Sequence, residues 1–170
     1  MTISMYKASV PQLLQGLNAM QGVLDKAAAY AEAKKIDQAV LLQTRLFPNM
    51  FPLSVQVGQV VAHACRVTSR LSGMDEPTFD APETTIAALK ERVAKAIAFI
   101  SSAKPEQIDG TEDKEVVMKF PRGEMKFTGQ QFLLNFTLPN FYFHATTAYN
   151  IFRAIGVEIG KMDFMGQPPR

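Results

Sequence analysis

The chain has 170 residues, of which 47% are hydrophobic and 20% are charged. This composition excludes intrinsic disorder, and the length suits one globular domain, so we predict a single domain over residues 1–170. With 18 basic against 16 acidic residues the net charge is only +2, and no cluster of basic residues stands out, so nucleic acid is not expected as a partner.

Cysteine content and hydropathy indicate the compartment. Cys65 is the only cysteine, so no intramolecular disulfide can form and the fold does not depend on an oxidising environment. The opening MTISMYKASV lacks the basic region and apolar run of a secretory signal, and no stretch reaches the ~18 uninterrupted apolar residues of a membrane span. We therefore expect a cytoplasmic protein with no membrane partner.

The first segment predicts a long helix followed by a short one. Ser9 and Gln12 have the spacing of a capping box, which places the start of the long helix at Ser9. Its apolar seam, facing a partner helix, consists of Leu13, Leu17, Met20, Leu24, Ala27 and Ala31. We predict that this helix runs to about Lys35 and that Asp37 caps a short second helix through Arg45.

A second long helix is predicted from about Leu53 to Leu71, with Gly73 at its end. One side of it is apolar. The other side consists of Gln56, Gln59, His63, Arg66 and Arg70. A polar stripe of this kind is usually solvated surface. The functional alternative is a cleft at the end of the bundle, in which arginines hold a carboxylate or phosphate.

A third long helix and a strand pair follow. Asp80 and Glu83 have capping-box spacing, and the apolar period from Ile86 to about Ala103 predicts an amphipathic helix. Between Lys114 and Phe127 the period changes to that of strands, because EVVMKF and MKF flank the turn PRGE. We predict a β-hairpin there, supported by the helices because two strands alone are marginally stable.

The stretch from Thr128 to Gly156 predicts the last and most apolar helix. Thr128 with Gln131 forms a capping-box spacing, and Gly156 can take the left-handed conformation that closes a helix. Pro139 removes a backbone donor between these ends. We therefore expect a kink near Asn135–Asn140, or two helices that share an axis.

His144 lies on the side of this helix that we predict to face inward. Steps of roughly 100° per residue place on the same side Leu133, Thr137, Asn140, Thr147, Ala148, Ile151 and Ile155. One interpretation is a buried imidazole hydrogen-bonded to Asn140, Thr147 or a carbonyl. The other is a histidine that acts on a ligand in a pocket.

The opposite side of the same helix and the tail are candidates for assembly. Tyr149 and Arg153 lie one turn apart, where they could stack, hold an anion or form an oligomer contact, and we favour the contact. The tail after Gly156 carries apolar residues without helical spacing, and such residues usually dock on the body or on a second subunit.

Four long helices with a short β-hairpin before the last one define the fold class as all-α, a four-helix bundle. With the helices placed, the sequence resembles the DinB/YfiT-like superfamily of four-helix bundles, and more closely an uncharacterised bacterial branch of it. This resemblance covers nearly the whole chain. It is carried by MTISMYKASVPQLLQGL, MFPLSVQVGQV, FTGQQFLL and LPNFYFHATTAYNIFRAIGVEIGKMDF.

The wider superfamily implies a metal site. Many members resemble enzymes that hold a divalent ion with three histidines, one from the second long helix and two from an H-x-x-x-H pair in the last. Here His63 and His144 match two positions, whereas Ala148 occupies the third. A zinc or nickel ion would need another ligand, a carboxylate or Cys65, because such catalytic sites use three protein ligands. Cys65 lies about 160° around the helix from His63.

Two functions fit these residues. The first is a bundle that binds a small organic molecule between its helices, the resemblance implying a thiol-cofactor transferase or isomerase. His144 would be the base and His63 its counterpart, Arg66 would contact an anion, and Gln59 and Asn140 would complete the pocket. The second is a non-catalytic homodimeric interaction or sensing module without metal. The first requires the two imidazoles to share a cavity.

Overall fold

The computed structural model describes residues 3–79 and 83–167, which form four long helices with a β-hairpin before the last. The elements are α1 (Met5–Lys34), α2 (Gln38–Leu42), α3 (Leu53–Ser72), α4 (Ile86–Ser101), α5 (Pro105–Ile108), β1 (Glu115–Phe120), β2 (Gly123–Thr128), α6 (Gly129–Gln131), a π-helical segment (Phe132–Thr137), α7 (Leu138–Ala154) and α8 (Lys161–Met165). The predicted fold class and the position of the hairpin are confirmed.

The predicted start of α1 at Ser9 is wrong. The helix begins at Met5, and the Ser4 side chain accepts a hydrogen bond from the backbone N–H of Lys7. Ser9 lies inside the helix, where its hydroxyl donates to the carbonyl of Met5 at 2.6 Å. The S-x-x-Q spacing therefore occurs one turn into the helix, because a serine hydroxyl can bond back to the preceding turn instead of capping.

The predicted start of α2 and the predicted end of α3 agree with the structure, whereas α2 ends at Leu42 and not at the predicted Arg45. Asp37 caps α2 by accepting from the N–H of Ala39 at 2.9 Å. Gly73 closes α3 with φ +81°, in the left-handed region that suits glycine. The box proposed for Asp80 lies outside the described residues, and α4 is capped by Thr85, whose hydroxyl accepts from the N–H of Ala88 at 3.1 Å.

The last helix begins as predicted and changes hydrogen bonding near its proline. Thr128 and Gln131 form a reciprocal capping box, with distances of 3.1 and 3.2 Å. In the π-helical segment the N–H of Leu138 donates to the carbonyl of Leu133, five residues back. Pro139 follows directly, in the first turn of α7. The expected disturbance is thus a change in helical hydrogen bonding, with right-handed helical angles at Thr137 and Leu138.

The four long helices pack around one core, and neighbouring helices differ in how closely they pack. α3 packs along both α7 and α4, and α4 packs along α1. By contrast, α1 and α7 contact each other at few points, and the short helix α8 docks against α1 beside this seam. The bundle therefore has three closely packed seams and one that is more open.

The hairpin covers the bundle with one strand. β1 pairs antiparallel with β2 in a register that sets Glu115 opposite Thr128 and Phe120 opposite Gly123. Val116 and Met118 of β1 are buried.

Within residues 3–79 and 83–167, no helix is long and apolar enough to cross a membrane.

Candidate functional site

The two histidines lie face to face between α3 and α7. The ring centroids of His63 and His144 are 5.7 Å apart, and the ring planes differ by 17°. Both residues are buried, with 6% and 8% of their surface exposed. The predicted inward direction of His144 is confirmed, whereas the solvated face predicted for His63 is wrong. Phe136 covers it, with its ring 5.7 Å from the imidazole of His63.

Gln56 fixes the orientation of the His144 ring. Its amide nitrogen donates to the carbonyl of Phe51 at 3.1 Å, so its amide oxygen must face the other way. That oxygen lies 2.7 Å from Nδ1 of His144. Because an amide oxygen only accepts, Nδ1 of His144 carries the proton and Nε2 keeps its lone pair. His144 can therefore accept a proton or a hydrogen bond at Nε2.

The surroundings keep both imidazoles neutral. Burial, the neighbouring His144 and the Arg66 guanidinium together lower the pKa of His63 to about 4. Burial also lowers the pKa of His144. Removing an imidazolium from water costs more free energy than removing the neutral ring, and a second titrating ring beside it adds to that cost. At neutral pH the pair therefore offers lone pairs and N–H groups without positive charge.

Aromatic rings surround the pair. Phe51 stacks on His144 at 6.4 Å, and Phe143 meets the same ring edge-on at 5.2 Å. These two phenylalanines are 51% and 55% exposed. Large apolar side chains this exposed beside a buried polar pair are typical of a binding surface. We refer to Phe51, Phe136 and Phe143 as the aromatic rim.

A positively charged cleft lies next to the rim. It has a volume of about 640 Å³ and runs between α3 and β1, with Arg66, Arg70 and Lys119 on its walls. Glu76 also lines it and is 3.7 Å from Arg66. Phe120 lines the cleft as well, and its ring contacts Phe136 at 6.3 Å. Phe136 also contacts His63, so its ring lies between the cleft and the histidine pair. Neither imidazole lines the cleft, and the predicted cavity shared by the two imidazoles stays a prediction.

The residues present do not fit a three-histidine metal site. Ala148 is fully buried at the position of the third ligand. Among residues 3–79 and 83–167, no group of three or more His, Cys, Asp or Glu side chains is arranged to hold an ion. Cys65 does not complete the set, because it is buried and lies about 160° around α3 from His63.

The side chains that the sequence predicts as partners of His144 form other hydrogen bonds. Asn140 donates to the carbonyl of Phe136 at 2.6 Å, and Thr147 donates to the carbonyl of Phe143 at 2.7 Å. The predicted partners of His144 are thus wrong, because both side chains bond back along their own helix. Gln59 is half-buried on α3.

Gln56 is the functional residue that sequence reasoning assigned to the wrong environment. The sequence pattern places it with His63 on a polar face of α3, yet it is 1% exposed. The spacing of seven residues, about two helical turns, correctly puts both side chains on one stripe, but no local signal indicates that other segments cover that stripe.

Tyr149, Arg153 and the tail have partners within the chain. The Tyr149 ring packs edge-on against Phe164 at 5.6 Å, and Arg153 donates to the carbonyl of Ile159 at 2.8 Å. Val157 and Ile159 are buried. The tail thus docks on the body of its own chain, which is the first of the two predicted outcomes.

Comparison with known proteins agrees with the fold. A solved structure described as a DinB family member protein from Shewanella denitrificans superposes with a TM-score of 0.86 at 35% sequence identity, covering 97% of this chain and 93% of that one. The search of curated proteins gave no match. A family model described as a domain of unknown function, DUF1993, matches residues 5–165. The chain belongs to this DUF1993 family and, on its likeness to the solved relative, to the DinB family.

Proposed function

We propose that the protein binds a small organic anion at the histidine pair and the adjoining cleft. The observation that supports this most is the pair itself, two neutral imidazoles from different long helices enclosed by the aromatic rim. The charged end of the ligand, a carboxylate or phosphate, would lie against Arg70 and Lys119, beside the Arg66 and Glu76 pair. Its body would pack on the rim and present a polar group to the imidazoles.

The charges of the cleft favour an anion over a neutral ligand. Three cationic side chains and the Glu76 carboxylate line it. Arg66 and Glu76 are only partly exposed, at 28% and 32% of their side chains. Guanidinium groups bind carboxylates and phosphates through paired hydrogen bonds. The remaining positive charge at Arg70 and Lys119 is the part available to a ligand.

The imidazoles favour binding, and they limit what chemistry can follow. A general base works best with a pKa near the working pH, and His63 lies well below that range. His63 is therefore a hydrogen-bond partner. His144, with Nδ1 held by Gln56, is the residue that would take a proton in a transferase or isomerase reaction. Because the third histidine position is Ala148, no step is assigned to a metal ion.

Calorimetric titration with matched probes tests the binding proposal. Benzoate and phenyl phosphate should bind, and neutral benzamide should bind at least tenfold more weakly. Arg70→Gln should reduce binding of both anions about tenfold, since a hydrogen bond to a charged group contributes about 1.5–3 kcal/mol. Lys34→Gln removes one charge from α1 and should have no effect. Equal binding of benzoate and benzamide, or of wild type and Arg70→Gln, would overturn the proposal.

Metal analysis tests the assignment of a metal-independent site. Protein purified without a histidine tag should carry zinc or nickel well below one ion per chain. His63→Ala and His144→Ala should each weaken benzoate binding without changing the metal content. Stoichiometric metal that both substitutions remove would contradict this assignment and support the superfamily's metal chemistry instead.

A second candidate function is a homodimeric interaction module. The exposure of Phe51 and Phe143 favours it, because an aromatic rim can also bury itself against a second copy. Sedimentation velocity separates the two functions. An interaction module predicts a dimer that Phe143→Ser weakens. The ligand-binding function predicts that wild type and Phe143→Ser have the same sedimentation coefficient and that Phe143→Ser binds benzoate more weakly.

A further inference from the structure

A separate cavity lies on the open seam of the bundle. It has a volume of about 280 Å³, is partly open to solvent and is lined by α1, α7 and α8. On α7 its walls include Phe141, Ala145 and Tyr149, which follow one another at helical spacing along a face other than that of His144. The cavity therefore belongs to a different face of the molecule from the histidine pair and the charged cleft.

Two close contacts border this cavity. A Cβ atom on Gly16 would lie 2.7 Å from the ring of Phe141, so this glycine lets the ring cross from α7 onto α1. A Cβ atom on Gly166, which has φ +64°, would lie 3.0 Å from Cβ of Ala19, so the tail also approaches α1 closely. Elsewhere α1 and α7 make few contacts, and the side chains of the seam leave a hollow.

The walls determine the class of ligand. Met20, Val23 and Ala145 are apolar and buried, and none of the described residues that line the cavity has an ionised side chain. Three of the polar side chains that line the cavity have hydrogen-bond partners. The Tyr142 hydroxyl donates to Gln12 at 3.1 Å, and Gln15 donates to the carbonyl of Met165 at 2.8 Å. An ion placed here would lose its hydration without compensation.

We propose that this cavity is a second ligand site, which binds one uncharged and largely apolar small molecule bearing a single hydroxyl or carbonyl group. An apolar cavity of about 150 Å³ holds benzene, so the larger hollow between α1 and α7 suits two fused rings or a chain of about eight carbons. The polar group of the ligand would exchange hydrogen bonds with the Tyr142 and Gln12 pair. This inference does not rest on the proposed function at the histidines.

The tail forms the roof of the site. Asp163 accepts from the N–H of Gly160 at 2.8 Å and pairs with Lys26 of α1 at 2.7 Å. Phe164 contacts Tyr149, which brings the roof against the α7 wall. The roof is thus fixed at both walls by a few surface contacts, so a ligand can enter when these contacts open, without disturbing the core.

Ligand-observed NMR and calorimetry with phenol, 1-naphthol and n-octanol test the proposal. At least 1-naphthol should bind saturably, and charged 1-naphthoate should bind at least tenfold more weakly at this site. Ala145→Leu and Ala19→Leu fill the cavity from α7 and α1 and should each weaken 1-naphthol at least tenfold. Ala29→Leu, the same change on the exposed face of α1, should leave binding unchanged. Circular dichroism and the Tm establish that each variant is folded.

Three outcomes would overturn the site. One is that none of the neutral probes binds saturably. Another is that 1-naphthol binds equally to wild type and to folded Ala145→Leu and Ala19→Leu proteins. The third is that Ala145→Leu changes the sedimentation coefficient while no probe binds, which would make the seam an interface between copies of the chain. Arg70→Gln should not affect 1-naphthol, so failure here is distinguishable from failure at the charged cleft.

Discussion

Gln56 shows how one buried amide determines the state of a candidate base. Its two hydrogen bonds, to Phe51 and His144, leave no freedom in the orientation of the amide. A glutamine in this place costs free energy to bury unless both of its polar atoms are paired. The observed pairing therefore holds the proton on Nδ1 of His144 and directs the Nε2 lone pair away from Gln56.

Replacing this glutamine should destabilise the protein. Gln56→Leu leaves Nδ1–H of His144 and the carbonyl of Phe51 without partners, and one unsatisfied buried group costs about 1–3 kcal/mol. The free energy of unfolding from urea titration should fall by about that amount. Gln59→Leu, a half-buried position on the same helix, should change it by less than about 0.5 kcal/mol. Equal effects of the two substitutions would show that the hydrogen bonds of Gln56 do not matter.

At the scale of the helix, glycines in α1 have different roles that the sequence does not distinguish. Gly16 lies where the ring of Phe141 crosses α1, whereas a Cβ atom on Gly22 would meet nothing within 4 Å. A glycine inside a helix is normally less stable than alanine. At Gly16 we expect alanine to be the less stable residue, because its methyl group would occupy space that the fully buried ring of Phe141 fills.

The two glycines should therefore respond oppositely to alanine. Gly16→Ala forces Phe141 from its place and should lower the free energy of unfolding by about 1–3 kcal/mol, the usual range for overpacking. Gly22→Ala should raise it by about 0.5–1 kcal/mol through helix propensity. Thermal and urea unfolding of both variants measure the difference. A stabilised Gly16→Ala protein would mean that α1 and α7 are not in contact at this point.

For the whole molecule, the histidine pair makes stability depend on pH. His63 titrates near 6.5 when unfolded and near 4 when folded, so the unfolded chain binds more protons between these values. The contribution is fully present above about pH 6.5 and is lost progressively as the pH falls from there to about 4. Burial lowers this pKa most, and His144 and Arg66 add to the effect. The pKa of His144, which burial also lowers, acts in the same direction.

Comparison with a non-titrating variant isolates this effect. Between pH 7 and pH 4.5, wild type should lose roughly 2 kcal/mol more of its free energy of unfolding than His63→Gln loses, from about 1.4 kcal/mol per unit of pKa difference. Urea unfolding at both pH values measures this. The lowered pKa of Asp163 contributes equally to both proteins. Parallel pH dependences would show that His63 is not buried in the neutral form.

Local signals predicted most of the helix ends. The Thr128 and Gln131 box and Gly73 each depend on neighbours within a few residues, so sequence spacing is sufficient to recognise them. The repeated apolar period also predicted which side of α7 is buried. The predicted helix start at Ser9 is wrong because Ser9 and Gln12 have the spacing of a capping box, whereas the earlier serine, Ser4, caps the helix.

The site was predicted less well because its environment is built from distant segments. His63 follows polar residues and precedes arginines, which favoured a solvated face. The ring of Phe136, 73 positions later in the chain, buries it. Gln56, the hydrogen-bond partner of His144, lies 88 residues before it in the chain. Helical periodicity assigns a residue to a face, and it cannot tell which later segment covers that face.

The π-helical segment has a consequence for the angular phase of the entire last helix. A π turn accommodates about one residue more than an α turn, and one residue corresponds to roughly 100° of rotation. Phe136 lies in this segment and contacts Phe120, Phe127, Phe132 and His63. Deleting a single residue there would let an ordinary α-helix form with nearly the same total rotation, because the wider turn absorbs the extra residue. The same deletion between Pro139 and His144, in the α-helical part, would turn the upstream face, with the hairpin attached to it, by more than a quarter of a revolution relative to His144.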